Sequence, residues 1–145
     1  MKEIKTEMQI AASPDKVWEI LMNLPEWANW NPIITKIEGE LKVGSELSIT
    51  MADEKGNPGR NYKSTITAID EHKRFRFIGK MMAKFMFSAD RIIELEESPK
   101  GTRFTQREVY TGIMVSLFWK KMNTDATRML RIMNLALKKK VESVK

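Results

Sequence analysis

Apolar and polar positions alternate first with the period of a strand. Ile4, Thr6, Met8 and Ile10 interleave with Lys5, Glu7 and Gln9, which predicts a half-buried strand at the start of the chain. Ser13-Pro14 is a helix start, a side-chain cap followed by a ring already set to helical φ. The turns that follow carry Val17, Trp18, Leu21 and Met22 inward until Pro25 stops them. Trp27–Asn31 then reads as one helical turn, and Pro32 pushes Asn31 into an extended run over Ile33–Glu38.

From there the period is two as far as Gly112. Glu46–Met51 places Leu47, Ile49 and Met51 on one face, and Asp53–Gly59 has the composition of a turn. Asn61–Ile69 and Arg74–Ile78 form a hairpin through Asp70–Lys73; Phe85–Glu96 and Thr102–Tyr110 form another through Ser98–Gly101. The last stretch changes period. Over Val115–Val141, an apolar arc of Val115, Phe118, Trp119, Met122, Ala126, Met129, Leu130, Met133, Ala136 and Leu137 opposes Lys120, Lys121, Arg128, Arg131, Lys138 and Lys139. Without Gly or Pro this is one helix about 40 Å long, at ~1.5 Å per residue.

That order implies an α+β architecture: a curved antiparallel sheet, apolar inside, closed over the only remaining element with a broad apolar face. Side chains from sheet and helix either fill the interior or leave a cavity.

Charge changes the picture only when it is located. The net +6 comes from the last 32 residues, with 8 Lys+Arg against 2 Asp+Glu, while the first 113 hold 17 of each. A basic amphipathic helix suits either a solvated face or a membrane surface, and Leu117 and Leu135 sit within that basic face. The absence of cysteine removes disulfide scaffolds, thiolate metal sites and cysteine nucleophiles. A signal-like start and a run of ~20 apolar residues are both missing, so a single cytoplasmic domain over 1–145, monomer or homodimer, is expected.

Ser13-Pro14-x-x-Val17-Trp18 is followed by Trp27-x-x-Trp30-Asn31-Pro32, then Glu94-Leu95-Glu96 and Gly101-Thr102-Arg103-Phe104-Thr105-Gln106-Arg107-Glu108. Gly112 and Met133-Asn134-x-x-Leu137-Lys138 complete the series. In this order and spacing the chain resembles the polyketide cyclase/dehydrase branch of the START-like (SRPBCC) superfamily, along essentially its whole length. The resemblance implies a helix-grip fold, a seven-stranded sheet wrapped round the C-terminal helix, usually with an apolar ligand cavity. It leaves cyclases, lipid carriers and members of unknown role open. Two positions depart from it: similar sequences often carry His at Arg91 and near Gln106, whereas the one histidine here, His72, falls in a hairpin turn and is expected to be exposed.

Candidate chemistry comes from strand register. If Leu95 pairs with Phe104 across the Ser98–Gly101 turn, Arg91 stands opposite Glu108 with both side chains inward. Buried charges must pair, so an Arg91–Glu108 ion pair is expected. It serves as a ligand anchor, an acid–base pair or a structural bridge. The candidate wall is Phe75, Phe77, Phe87, Phe104, Met122, Met129 and Met133, with Met51 and Trp30 beside it. Arg91, Gln106, Glu108 and Tyr62 are the candidate polar contacts. Trp27 and Trp30 pair structurally, and Met81–Phe87 reads as an apolar flap near the mouth.

The function expected is binding of a small, largely apolar ligand without a cofactor or metal. No metal cluster, phosphate loop, nucleophile elbow or nucleic-acid module is present in the sequence. The alternatives are a cyclase or dehydratase with Glu108 as base and Arg91 as enolate stabiliser, and a membrane-surface lipid carrier.

Overall fold

The computed structural model describes residues 1–52, 58–80 and 86–144. The chain forms β1 (Lys2–Ile10), α1 (Pro14–Met22), a 3-10 turn (Leu24–Glu26), α2 (Trp27–Trp30) and β2 (Ile34–Glu38). It continues through β3 (Glu46–Ala52), β4 (Pro58–Asp70), β5 (Arg74–Lys80), β6 (Ser88–Ser98) and β7 (Gly101–Thr111) to α3 (Ile113–Ser143). The seven strands make one antiparallel sheet in the order β1-β7-β6-β5-β4-β3-β2. Each consecutive pair from β2 to β7 is joined locally, and only β1 arrives from afar to close on β7.

The local chemistry accounts for these boundaries. The hydroxyl of Ser13 accepts a hydrogen bond from the Lys16 amide, with Pro14 in the first turn of α1. That helix ends at Met22 with Asn23 as its C-cap, ahead of Pro25, which falls within the 3-10 turn that follows. Asn31 leaves the helical region ahead of Pro32, and its Oδ1 accepts from the amides of Ile33 and Ile34, both at 2.9 Å. At the β4–β5 turn His72 takes φ of 65°. It is half-exposed, its imidazole edge-on to Trp18 and close to Asp15, so the turn holds it more firmly than its composition implies. The expected turn at Asp53–Gly59 and the flap at Met81–Phe87 lie largely outside the described residues.

The 31 residues of α3 span about 46 Å across the concave face of the sheet. This is the helix-grip fold. The buried residues of α3 are Val115, Ala126, Leu130, Met133, Asn134, Leu137 and Val141. That stripe is turned relative to the arc expected from apolar spacing: Asn134 faces in, while Phe118 stands 54% exposed. The C-terminal end is fastened by Glu142, which accepts from the Ala11 amide at 2.8 Å and meets Lys138 at 2.5 Å. Hydrogen bonds from Lys138 and Ala11 hold its carboxyl below the usual range. Lys138 also donates to the Gln9 carbonyl, at 2.9 Å.

Two apolar clusters form between sheet and helices. The larger includes Ile10, Trp18, Trp27, Phe75, Phe104, Met133, Leu137 and Val141; the smaller is Ile4, Tyr110, Val115, Ala126 and Leu130. Fully burying such side chains stabilises the fold by about 1.5–3 kcal/mol each. The two clusters meet around a hollow bordered by Ile34, Ile49 and Phe77 of the larger and by Tyr110, Ala126 and Leu130 of the smaller. That hollow is the candidate site.

Candidate functional site

A cavity of about 330 Å³ lies between the sheet and the N-terminal half of α3. It sits at the lower end of the ~300–1,000 Å³ range of ligand sites. Its walls come from β2 and β3 (Ile34, Ile49, Met51), β4 and β5 (Tyr62, Ser64, Phe77, Gly79), β6 and β7 (Ala89, Arg91, Glu108, Tyr110) and α3 (Met122, Asp125, Ala126, Met129, Leu130), with Phe87 ahead of β6. Small side chains explain the hollow. Ala126 on the helix faces a sheet that presents Ser64, Gly79 and Ala89, where larger residues would close the space.

One side of the cavity is polar, and strand register builds it. Leu95 pairs with Phe104, and four residues further from the β6–β7 turn Arg91 pairs with Glu108, as the two-residue period predicts. Arg91 Nε donates to Glu108 Oε2 at 3.0 Å, and Nη2 approaches the same oxygen at 2.8 Å. Nη1 donates to Gln106 Oε1 at 2.9 Å and lies 3.8 Å from the Met133 sulfur. The chain of bonds then passes to the helix: Gln106 Nε2 donates to Asn134 Oδ1 at 2.7 Å, and Asn134 Nδ2 donates to Thr6 Oγ1 at 2.8 Å. Thr6 Oγ1 donates back to the Gln106 carbonyl at 3.0 Å. Each of these side chains is hydrogen-bonded to another, and such pairing lets a buried polar network stabilise rather than cost. Tyr110 stands beside this group. Burial chiefly, and the Glu108 carboxylate next, push its phenol well above the usual range, so it stays protonated.

The residues expected at the site divide into two groups. Met51, Tyr62, Phe77, Phe87, Arg91, Glu108, Met122 and Met129 line the cavity. Phe75, Phe104 and Met133 lie behind its wall in the larger cluster, where they fill rather than face space. Gln106 is 1% exposed and acts through Arg91. Trp30 packs on Trp27 with ring centroids 5.3 Å apart. Period two assigns a residue to the inner face but says nothing of depth, which the curl of the sheet decides. Sequence reasoning missed Ala126, Leu130 and Tyr110 as lining residues and Asn134 and Thr6 as network members. Asn134 left one usable signal, a polar side chain next to the apolar arc of the helix.

A larger concavity of about 1330 Å³ lies on the outer face, between α1 and the strands around β7. It is open to solvent. Its charged groups already hold one another: Arg107 meets Glu3 at 3.1 Å and Glu94 at 3.0 Å, and Arg74 meets Glu94 at 3.6 Å. Such exposed pairs are worth about 0–1 kcal/mol each and read as a solvated sheet face. No group of His, Cys, Asp and Glu suited to a metal ion occurs among the described residues.

Fold and cavity together define a helix-grip protein with a hollow, partly polar interior. Residues 1–142 match the family described as polyketide cyclase / dehydrase and lipid transport. The chain belongs to that family. No curated protein matches the sequence. Among solved structures, protein MLL2253 from Mesorhizobium loti superposes with a TM-score of 0.80 at 15% identity, covering 99% of each chain. The di-domain ARO/CYC StfQ of the steffimycin biosynthetic pathway gives 0.79 at 11% identity, over 97% of this chain and 51% of StfQ. Ara h 8.0201 gives 0.76 at 16% identity, over 98% of both chains. Identities this low carry the fold alone.

Proposed function

We propose that this protein binds a small, largely apolar molecule in the cavity between the sheet and α3. The observation that carries this reading is the hollow itself: small residues on both sides keep it open, beside a closed polar network. The family description, with its cyclases and lipid transport, supports the same reading. A cyclase or dehydratase would need Arg91 free to meet an enolate, yet each of its three guanidinium nitrogens is committed to Glu108 or Gln106. Binding therefore stands ahead of turnover. An environment-sensitive apolar dye is expected to bind saturably, and Met129→Trp, which fills the space, to weaken it about tenfold. Unchanged dye affinity in a folded Met129→Trp protein would place the dye elsewhere and count against the reading.

A second reading concerns delivery at a membrane surface, favoured by the outer face of α3. Ile113, Leu117, Phe118, Ile132 and Leu135 are exposed there, interleaved with Lys120, Lys121, Arg128, Arg131 and Lys139. No helix among the described residues is long and apolar enough to cross a membrane, so any contact would be peripheral. Co-sedimentation with vesicles is expected to rise with anionic lipid and fall with salt. Binding indifferent to both removes this reading.

A further inference from the structure

We propose that the cavity selects an uncharged molecule that inserts a hydroxyl toward Glu108 and Tyr110, and rejects the matching carboxylate. This rests on the apolar-ligand reading above and adds the chemical class of the ligand.

Lys63 and Lys80 border the cavity but alternate out of it: Lys63 Nζ donates to Ser48 Oγ on the outer face at 3.1 Å, and Lys80 follows the inward Phe77 and Gly79 by odd steps along β5. Among the described residues, the charged side chains inside are Arg91, Glu108 and Asp125, one cation against two carboxylates.

That cation is already engaged. Its Nε and Nη2 are held by Glu108 and its Nη1 by Gln106. Gln106 cannot swing aside to release Nη1, because its own amide nitrogen is fixed by Asn134 and its backbone carbonyl by Thr6. An entering anion would have to break this closed chain or stand unpaired beside Glu108, and either outcome leaves a desolvated charge without a partner. A hydroxyl meets different terms. Arg91 uses only Oε2 of Glu108, leaving Oε1 outside the ion pair with lone pairs to accept, and the Tyr110 phenol, which itself donates to the Glu108 carboxylate, keeps its oxygen as an acceptor. At about 330 Å³ the cavity lies near the lower end of the ~300–1,000 Å³ range of ligand sites. It suits a compact ring system rather than a two-chain lipid.

Naphthalene, naphthol and naphthoate share one ring system and separate the terms. Titrated into the full chain at neutral pH, naphthol is expected to bind about tenfold tighter than naphthalene, the worth of one hydrogen bond. It is also expected to bind at least about tenfold tighter than naphthoate. Glu108→Gln frees the guanidinium, so naphthoate should gain at least about tenfold and overtake naphthol. Naphthoate binding the wild-type protein as tightly as naphthol overturns the inference, as does equal binding of naphthalene and naphthol; both leave the apolar cavity reading standing. Absence of binding by all three overturns that reading as well. Should Glu108→Gln not fold, the wild-type order alone decides.

Discussion

Replacing Arg91 by alanine is expected to lower the unfolding free energy by about 3–5 kcal/mol, the usual effect of removing one partner from a buried ion pair. Both side chains are largely covered, at 11% and 12% exposure, so solvent does little to screen the carboxylate that remains. Gln106 loses the donor to its Oε1 in the same step, and the Asn134–Thr6 link then anchors a half-satisfied amide. A urea titration reads the loss as a lower midpoint with an unchanged slope. Pairing Arg91→Met with Glu108→Gln removes both charges and is expected to recover most of the stability. A deficit below about 1 kcal/mol in the single variant would show that water reaches the pair freely, which contradicts the enclosed geometry.

The second large effect is expected at Gly112, where the chain leaves β7 and enters α3. Its φ is 117°, and a Cβ there would lie 2.5 Å from the Met86 carbonyl oxygen and 2.8 Å from the Phe87 Cα. Both obstacles are backbone and cannot rotate away. The amide of Met114 also donates to that carbonyl, at 3.1 Å, so the first turn of α3 is seated on the residues that lead into β6. Gly112→Ala must displace one or the other, at a cost on the order of 2–4 kcal/mol. Thermal unfolding measures the total. Chemical-shift changes centred on Phe87, Trp119 and Met122 would locate it at the cavity, whereas an unaltered melting temperature would show that the junction relaxes without strain.

The sequential hairpins from β4 to β7 and the Arg91–Glu108 register were legible because both rest on short-range rules, whereas the pairing of β1 with β7 rests on none. A tight turn at Ser98–Gly101 fixes the first pair, and a period of two carries the register down to residues 91 and 108 without further information. The roll of α3 rests on no such rule. Apolar spacing alone puts Phe118 inward; the observed roll brings Asn134 to Gln106 and Thr6 and leaves Phe118 in solvent. That choice depends on three side chains 28 and 128 residues apart in sequence, so no local pattern contains it. The same holds for depth within the sheet. Phe75 and Phe77 share a face, yet only Phe77 reaches the cavity.

The two halves of α3 are held in different ways. Asn134, Lys138 and Glu142 fasten the C-terminal half to β1 and β7 through hydrogen bonds. From Leu117 to Met129 the helix faces the sheet mainly through Trp119, Met122, Ala126 and Met129, which make apolar and slippery contacts. For the occupant proposed above, bending α3 between Gly112 and Asn134 is opposed only by apolar contacts, whereas departure of either end breaks hydrogen bonds. Residence time would then follow the size of the side chains at 122 and 129, and affinity the polar groups on β6 and β7. A guest of the kind proposed would then be held longer by bulkier residues at 122 and 129 without being held more tightly.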